Sequence, residues 1–355
     1  MLGDLGMAKF IIAISFLLGI SSLLVSFIKK NEDASSVETL KKLYQRPQYV
    51  RYPKSNPYTP AKEILGKALF FEEALSRSNK MSCATCHRPD YHFTDNYPKA
   101  LGREGAELPR RTPTLLNVAF GNEFFWDGRA RTLEEQALMP IQAHDEMDLS
   151  LDEMVNRLSQ DPNYQKLFKV AFPQEGLTPA SVAKAITTYE RSIISINTPF
   201  DRWIDGEERA ISEEAKKGFV LFNEKAKCVT CHSGWNFTNG SYADTGLAET
   251  QPGRGEIVQL EVLKYGFKTP TLRSVADRAP YMHDGSLSTL NEVVEHYNRG
   301  GSHIRKSTKI FITSLNLTES EKSQLIDFLM TLSRSKKERH IASQESHRFG
   351  VNYDH

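Results

Sequence analysis

Cys83-Ala84-Thr85-Cys86-His87 and Cys228-Val229-Thr230-Cys231-His232 are two copies of C-x-x-C-H, and together they use all four cysteines of the 355-residue chain. This spacing attaches c-type haem: each thiol adds to a vinyl group, and the adjacent histidine becomes an axial iron ligand. A thioredoxin-like redox pair needs no histidine after its second cysteine. A zinc site shared by the four thiolates would leave both histidines unexplained. The motifs therefore read as two covalent haems, attached at Cys83, Cys86, Cys228 and Cys231, with His87 and His232 as the proximal ligands.

The two motifs lie about one domain length apart in a chain long enough for two ordinary domains. A hydrophobic content of 39% and a charged content of 25% describe a soluble globular protein. A net charge of +1 without a basic stripe argues against nucleic acid as a partner, while leaving room for a local patch that docks a redox protein. The N-terminus differs. Residues 10–28 are almost unbroken apolar sequence, preceded by Lys9 and followed by Lys29-Lys30. That run reaches membrane-spanning length and exceeds a usual signal core. With no small-x-small cleavage site after it, an uncleaved signal anchor is expected over a cleaved signal peptide. Both place the rest of the chain in the periplasm, although Lys29-Lys30 favour the cytoplasmic side.

Residues 31–58, with Pro47, Pro53 and Pro57, read as a polar tether. Helix signals then dominate. Thr59-Pro60 opens a helix to Phe70, Thr178-Pro179 opens one towards Ile194, and Ser212-Glu213-Glu214 starts the helix leading to Cys228. Ser150/Glu153, Thr289/Glu292 and Thr318/Glu321 are capping boxes. The best strand candidate is 256–263. The expected fold is mainly α with long loops: a first haem domain at 59–197, a boundary at Asn197-Thr198-Pro199, a second haem domain at 198–335, and a polar tail at 336–355. The duplicated haem motif in its helical setting is the one repeat expected. Near the end of the second domain, Leu290, Val293, Val294 and Tyr297 share an apolar helix face. Glu292, His296 and Arg299 share the opposite one. Tyr297 should point inward and His296 to solvent.

Taken in order, Cys83 to His87, Pro113-Thr114-Leu115-Leu116-Asn117, Phe125-Trp126-Asp127-Gly128-Arg129-Ala130, Pro199-Phe200-Asp201-Arg202-Trp203, Cys228 to His232, and Ala279-Pro280-Tyr281-Met282-His283-Asp284-Gly285 resemble the bacterial di-haem cytochrome c peroxidase/MauG superfamily. The resemblance spans roughly residues 60–335. It implies two cytochrome c-like helical domains facing each other, with peroxide reacting at the His87 haem. The removable distal histidine of many such peroxidases would fall near Gly102-Arg103-Glu104, where there is none, so that iron should be open without reductive activation. By family position Glu146 is the distal acid/base, Gln136 orients peroxide or water, and Trp126 bridges the haems. A buried carboxyl with a raised pKa suits proton transfer between peroxide oxygens. His92 and His144 are expected to be structural. Tyr297 is the implied sixth ligand of the second haem, as in MauG-like members, where typical peroxidases place methionine. His283 should lie beside that haem. The family also binds calcium between its domains: Arg278 and Pro280 keep the carbonyl positions, but the asparagine position holds Arg111, which leaves calcium open.

The leading expectation is a periplasmic di-haem peroxidase that reduces hydrogen peroxide with electrons from a small cytochrome c or cupredoxin; a homodimer is compatible with it. A MauG-like oxidase acting on a protein substrate is the alternative, favoured by Tyr297 and the missing distal histidine. The segment Phe222-Asn223-Glu224-Lys225-Ala226-Lys227 lacks a tryptophan that could collect oxidising equivalents at the surface, which counts against it. A non-enzymatic electron carrier is the third class, and it would hold two six-coordinate haems.

Overall fold

The computed structural model describes residues 37–195, 197–248, 251–303 and 312–334. It divides into two units, one ending at Gln45 and the other beginning at Arg46. In the first, residues 37–43 are helical. In the second, the helices are α1 (Pro60–Phe70), α2 (Cys83–Cys86), α3 (Leu133–Gln142), α4 (Leu151–Gln160), α5 (Pro162–Ala171), α6 (Pro179–Ser192), α7 (Pro199–Ile204), α8 (Glu213–Asn223), α9 (Arg254–Val258), α10 (Leu290–Asn298) and α11 (Glu319–Met330). The mainly helical expectation holds. Among the described residues no helix is long and apolar enough to cross a membrane. The apolar run at 10–28 and the tail at 336–355 lie outside the described residues.

Helix starts follow the caps written in the sequence. Thr59 Oγ1 accepts from the Lys62 N–H at 3.2 Å, with Pro60 in the first turn, and Thr178 and Thr198 open α6 and α7 in the same way. Both predicted boxes at Thr289/Glu292 and Thr318/Glu321 close reciprocally. The Ser150 box closes on one side: Ser150 Oγ accepts from the Glu153 N–H, while the Glu153 carboxylate turns to Arg157 at 2.9 Å. An i,i+4 guanidinium supplies a charged partner, and the neutral N-cap amide loses the competition.

The helices pack in two groups of similar plan. In one, α1 crosses α6 where Gly66 lies against Ala185; a Cβ at Gly66 would collide with the Ala185 carbonyl. In the other, α8 crosses α11 where Gly218 lies against Gln324 in the same manner. Each crossing needs a residue without a side chain, because the backbones touch. The first group buries Leu65, Leu69, Ile141, Met154, Leu158, Phe168 and Ile186. The second is aromatic: Phe200, Phe219, Phe222, Phe237 and Phe328 meet at centroid distances of 5.1–6.0 Å. Such edge-to-face pairs contribute about 0.5–1.5 kcal/mol each beyond area burial. Arg273, wholly buried, runs beside these rings to Asp201 at 2.6 Å.

The repeat reaches further than the haem motifs. Thr112-Pro113-Thr114-Leu115 and Thr269-Pro270-Thr271-Leu272 are each followed by a left-handed residue, Asn117 or Ser274, and a 3₁₀ turn. Phe125 and Met282 are again left-handed, between the paired bridges Phe124↔Ala130 and Tyr281↔Leu287. Thr132 and Thr289 then cap α3 and α10. Trp126 and His283 occupy matching places, and so do Pro140 and Tyr297.

The strand expected at 256–263 is instead α9 and a 3₁₀ turn, Glu261–Leu263. Its apolar residues Ile257, Leu260 and Val262 are exposed, so a strand here would have no core face to fill. The strands that do form are β1 (Tyr242–Ala243) and β2 (Phe267–Lys268), antiparallel, with Ala243 opposite Phe267. Asn56, at the end of the expected tether, is fully buried and donates to Glu134 Oε1 at 3.0 Å and the Lys184 carbonyl at 2.9 Å. The chain entering α1 is therefore pinned.

Candidate functional site

α2 carries the first motif as a single helical turn, started where Thr85 Oγ1 accepts from the Ser82 N–H at 2.9 Å. His87 follows, with Nδ1 3.1 Å from the Phe93 carbonyl; in the second motif His232 Nδ1 lies 2.9 Å from the Phe237 carbonyl. Both phenylalanines are left-handed, which turns the carbonyl back towards the ring. A carbonyl only accepts, so Nδ1 carries the proton and Nε2 keeps its lone pair. Burial lowers the pKa of both imidazoles, that of His232 to about 4. Each is thus a neutral donor ready for iron. Burial also raises the cysteine thiols, Cys86 and Cys228 to about 12, so neither motif resembles a reactive thiolate centre.

One cavity of about 1050 Å³ reaches both motifs, touching Cys86, His87, Cys228, Cys231 and His232. That is at or above the usual ~300–1,000 Å³ of a single small-molecule site. Its walls are largely apolar, with a few polar groups left without protein partners: Gln136 Oε1, Arg111 Nε and Nη2, and Trp235 Nε1. Buried polar atoms of native proteins are normally bonded. Lone donors in an apolar cavity suit an apolar ring bearing carboxylates, and a lone acceptor suits a small hydroxylic molecule. With two attachment motifs and two ligand-ready imidazoles, these residues fit haem.

Glu146 lines the cavity close enough to Cys83 and Cys86 to perturb both thiols. Burial raises its carboxyl above the ordinary range; Arg129 opposes this and Asp145 adds to it. Gln136, from α3, lines the same cavity. Trp126 does too, and its Nε1–H donates to the Arg111 carbonyl at 2.9 Å. Tyr297 reaches the cavity from α10 as its apolar face requires, beside Cys228 and Cys231; burial and those thiols push its phenol up.

The face assigned to solvent is only partly so. Glu292 and Arg299 are exposed, but His296 is 1% exposed and bonds the Thr245 carbonyl through Nε2 at 2.7 Å. The loop after β1 covers that face, and a polar side chain with a waiting carbonyl is buried at little cost. His92 stays out of the cavity wall, its Nε2 3.5 Å from Asp277. His144 touches the cavity but is 74% exposed and bonds Asp148 and Arg103. His283 stacks on Phe267 at 3.5 Å and faces Trp126 edge-on at 6.2 Å. At the expected calcium position Arg111 Nη1 donates to the Arg278 carbonyl at 3.0 Å.

Pro140 is the residue that the sequence reading missed. It lies inside α3, lines the cavity, and stands where Tyr297 stands in the repeated half. Aligning the two capped helices from Thr132 and Thr289 finds it from sequence alone.

Fold and cavity together define a c-type cytochrome with paired haem-attachment motifs. The comparisons place it more closely. A family model described as di-haem cytochrome c peroxidase matches residues 60–209. The methylamine utilization protein MauG of Methylorubrum extorquens is 46% identical over 306 residues, covering 84% of this chain and 86% of that protein. The cytochrome c551 peroxidase of Pseudomonas aeruginosa is 34% identical, covering 79% of this chain and 84% of that protein. Among solved structures, a MauG-like protein associated with microbial copper homeostasis superposes with a TM-score of 0.76 at 29% identity, covering 82% of this chain and 95% of that one. The chain belongs to the di-haem cytochrome c peroxidase/MauG family.

Proposed function

We propose that this chain is a periplasmic di-haem oxidoreductase of the MauG-like branch, with hydrogen peroxide as oxidant and a protein as the source of electrons. Bound haem supplies the iron that takes up peroxide at the first motif and a reservoir of electrons at the second. Cys83, Cys86 and His87 hold the first haem; Cys228, Cys231, His232 and Tyr297 hold the second. The observation that carries the reading is the contrast between Pro140 and Tyr297. The matching helix position faces the cavity with a side chain that cannot ligate in one half and with a phenol in the other. A haem held by Cys83, Cys86 and His87 would be left open to react, and one held by Cys228, Cys231 and His232 would be closed by Tyr297.

The remaining roles belong to side chains near the open face. Glu146, with its raised carboxyl, takes a proton from one oxygen of the oxidant and returns it to the other. The lone Oε1 of Gln136 accepts a hydrogen bond from the same molecule and fixes its orientation. Trp126, on the wall of the cavity that reaches both motifs, passes electrons across. Calcium is not part of this proposal, because a guanidinium already bonds the Arg278 carbonyl.

A cytochrome c peroxidase drawing on a small cytochrome c or cupredoxin is the second reading. It is favoured by the absence of tryptophan from the segment leading into Cys228. Stopped-flow mixing of the diferric protein with peroxide, followed by reduced cytochrome c, separates them. A fast spectral change with no turnover of the donor supports the MauG-like reading, and steady turnover supports the peroxidase. No reaction with peroxide would defeat both and leave an electron carrier.

A further inference from the structure

Arg111 is 5% exposed, lines the cavity, and uses only part of its guanidinium. Nη1 donates to the Arg278 carbonyl at 3.0 Å, whereas Nε and Nη2 have no partner. The backbone of Arg111 is committed on both sides: its N–H donates to the His283 carbonyl at 2.9 Å, and its carbonyl accepts the Trp126 indole. The side chain is thus fixed where the two repeated segments meet, with an unfilled two-donor fork.

Its charged surroundings sharpen the question. Arg278, also buried and on the cavity wall, has its guanidinium pKa lowered to about 9 by burial and then by Arg111. The negative groups near the pair are Asp95 and Asp277, while burial keeps the nearby Tyr281 phenol neutral. Asp95 is already engaged by the Thr112 hydroxyl and the Tyr97 N–H. Two adjacent buried cations with an open fork need an anion, because an unpaired buried charge costs several kcal/mol. A planar fork matches a carboxylate in bidentate geometry.

We infer that the Nε/Nη2 fork of Arg111 binds a propionate carboxylate of haem held in this cavity, making Arg111 a haem-binding residue at the junction of the two halves. This rests on the di-haem reading above. The contact places a fixed positive charge against the haem edge and ties that edge to the backbone that holds Trp126. Such a charge favours the reduced, less positive iron, so it raises that haem's midpoint potential.

The test is spectroelectrochemical titration of the intact protein carrying Arg111→Gln or Arg111→Lys, with haem per chain counted as pyridine haemochrome. Two haems in wild type are the premise, and fewer would defeat the di-haem reading itself. Arg111→Gln keeps a donor for the Arg278 carbonyl and removes the charge. It should retain both haems and shift one midpoint potential down, while Arg111→Lys stays near wild type. In wild type, the propionate bending band in resonance Raman should shift in D₂O, a readout that needs no variant. Two retained haems with unchanged potentials in both variants would overturn the inference. So would a wild-type potential that follows chloride concentration, since an exchangeable anion would then occupy the fork.

Discussion

The indole of Trp126 meets the imidazole of His283 edge-on, with ring centroids 6.2 Å apart, at matching positions of the two repeated segments. His283 in turn stacks flat on Phe267 at 3.5 Å, so three rings run in series along the cavity wall. Trp126→Phe keeps an aromatic ring but loses the indole N–H bonded to Arg111, at a cost of about 1 kcal/mol. The variant should still react with peroxide at the first haem, while the response of the second slows by ~10-fold or more, a barrier increase of ~1.4 kcal/mol. Stopped-flow absorbance resolving the two haems reads this directly. Equal rates at both haems in wild type and variant would remove Trp126 from the electron path.

Glu146→Gln should slow the reaction with peroxide by about 10²–10⁴-fold, the usual worth of a positioned acid/base, with both haem spectra intact. The pH profile supplies an independent check. Burial raises the Glu146 carboxyl above the ordinary ~4.3 of glutamate. As a base it acts deprotonated, so the wild-type rate falls as pH drops through that raised value. The variant should lose this acid limb. A limb that persists in Glu146→Gln would assign the titration to another group.

Tyr297→Phe and His296→Ala make a matched pair on adjacent positions of one helix. Burial holds the free phenol in its neutral form, so only a bound ferric iron would draw it into ligation as the phenolate. Tyr297→Phe should therefore change the ferric spectrum of the second haem alone. His296→Ala should leave that spectrum unchanged and destabilise the fold by about 1–3 kcal/mol, because the Thr245 carbonyl loses its buried donor. An unaltered ferric spectrum in Tyr297→Phe would sink the ligand assignment.

What could be read in advance was whatever the chain specifies locally. The motifs, the N-caps at Thr59, Thr178 and Thr289, and the inward face carrying Tyr297 are all short-range patterns, and each reappears in the fold. The failures share a different character. The polarity of His296 is visible in the sequence and points to solvent, whereas the covering loop with the Thr245 carbonyl is not. Residues 256–263 are the best strand candidate by local composition, yet Ile257, Leu260 and Val262 stay exposed in the fold. Pro140 is hard to see as the counterpart of Tyr297 because the two halves keep their caps and left-handed residues while changing the side chains between. The open fork of Arg111 depends on which atoms find partners in three dimensions, and no spacing rule encodes that.

Glu190, near enough to Cys83 to help raise its thiol, offers a test of stability beside the first motif. It is 4% exposed on α6, and burial lifts its carboxyl to about 8; Arg191 opposes this and Glu134 adds to it. The opposition is weak because Arg191 is spent on Glu134, whose two oxygens it holds at 2.7 and 3.0 Å. One Glu190 oxygen has no partner at all. A raised folded-state pKa means that the native protein holds this proton between about pH 4.3 and about 8, while the unfolded chain has released it. Stability must then fall as pH rises through that window, since the native state binds more protons there. Glu190→Gln removes the dependence. Its advantage over wild type should be near zero at about pH 4 and grow to ~2–4 kcal/mol by about pH 8. Urea unfolding of both proteins at these two pH values measures the difference, and an advantage that does not grow with pH would mean the carboxyl is ionised in the native state.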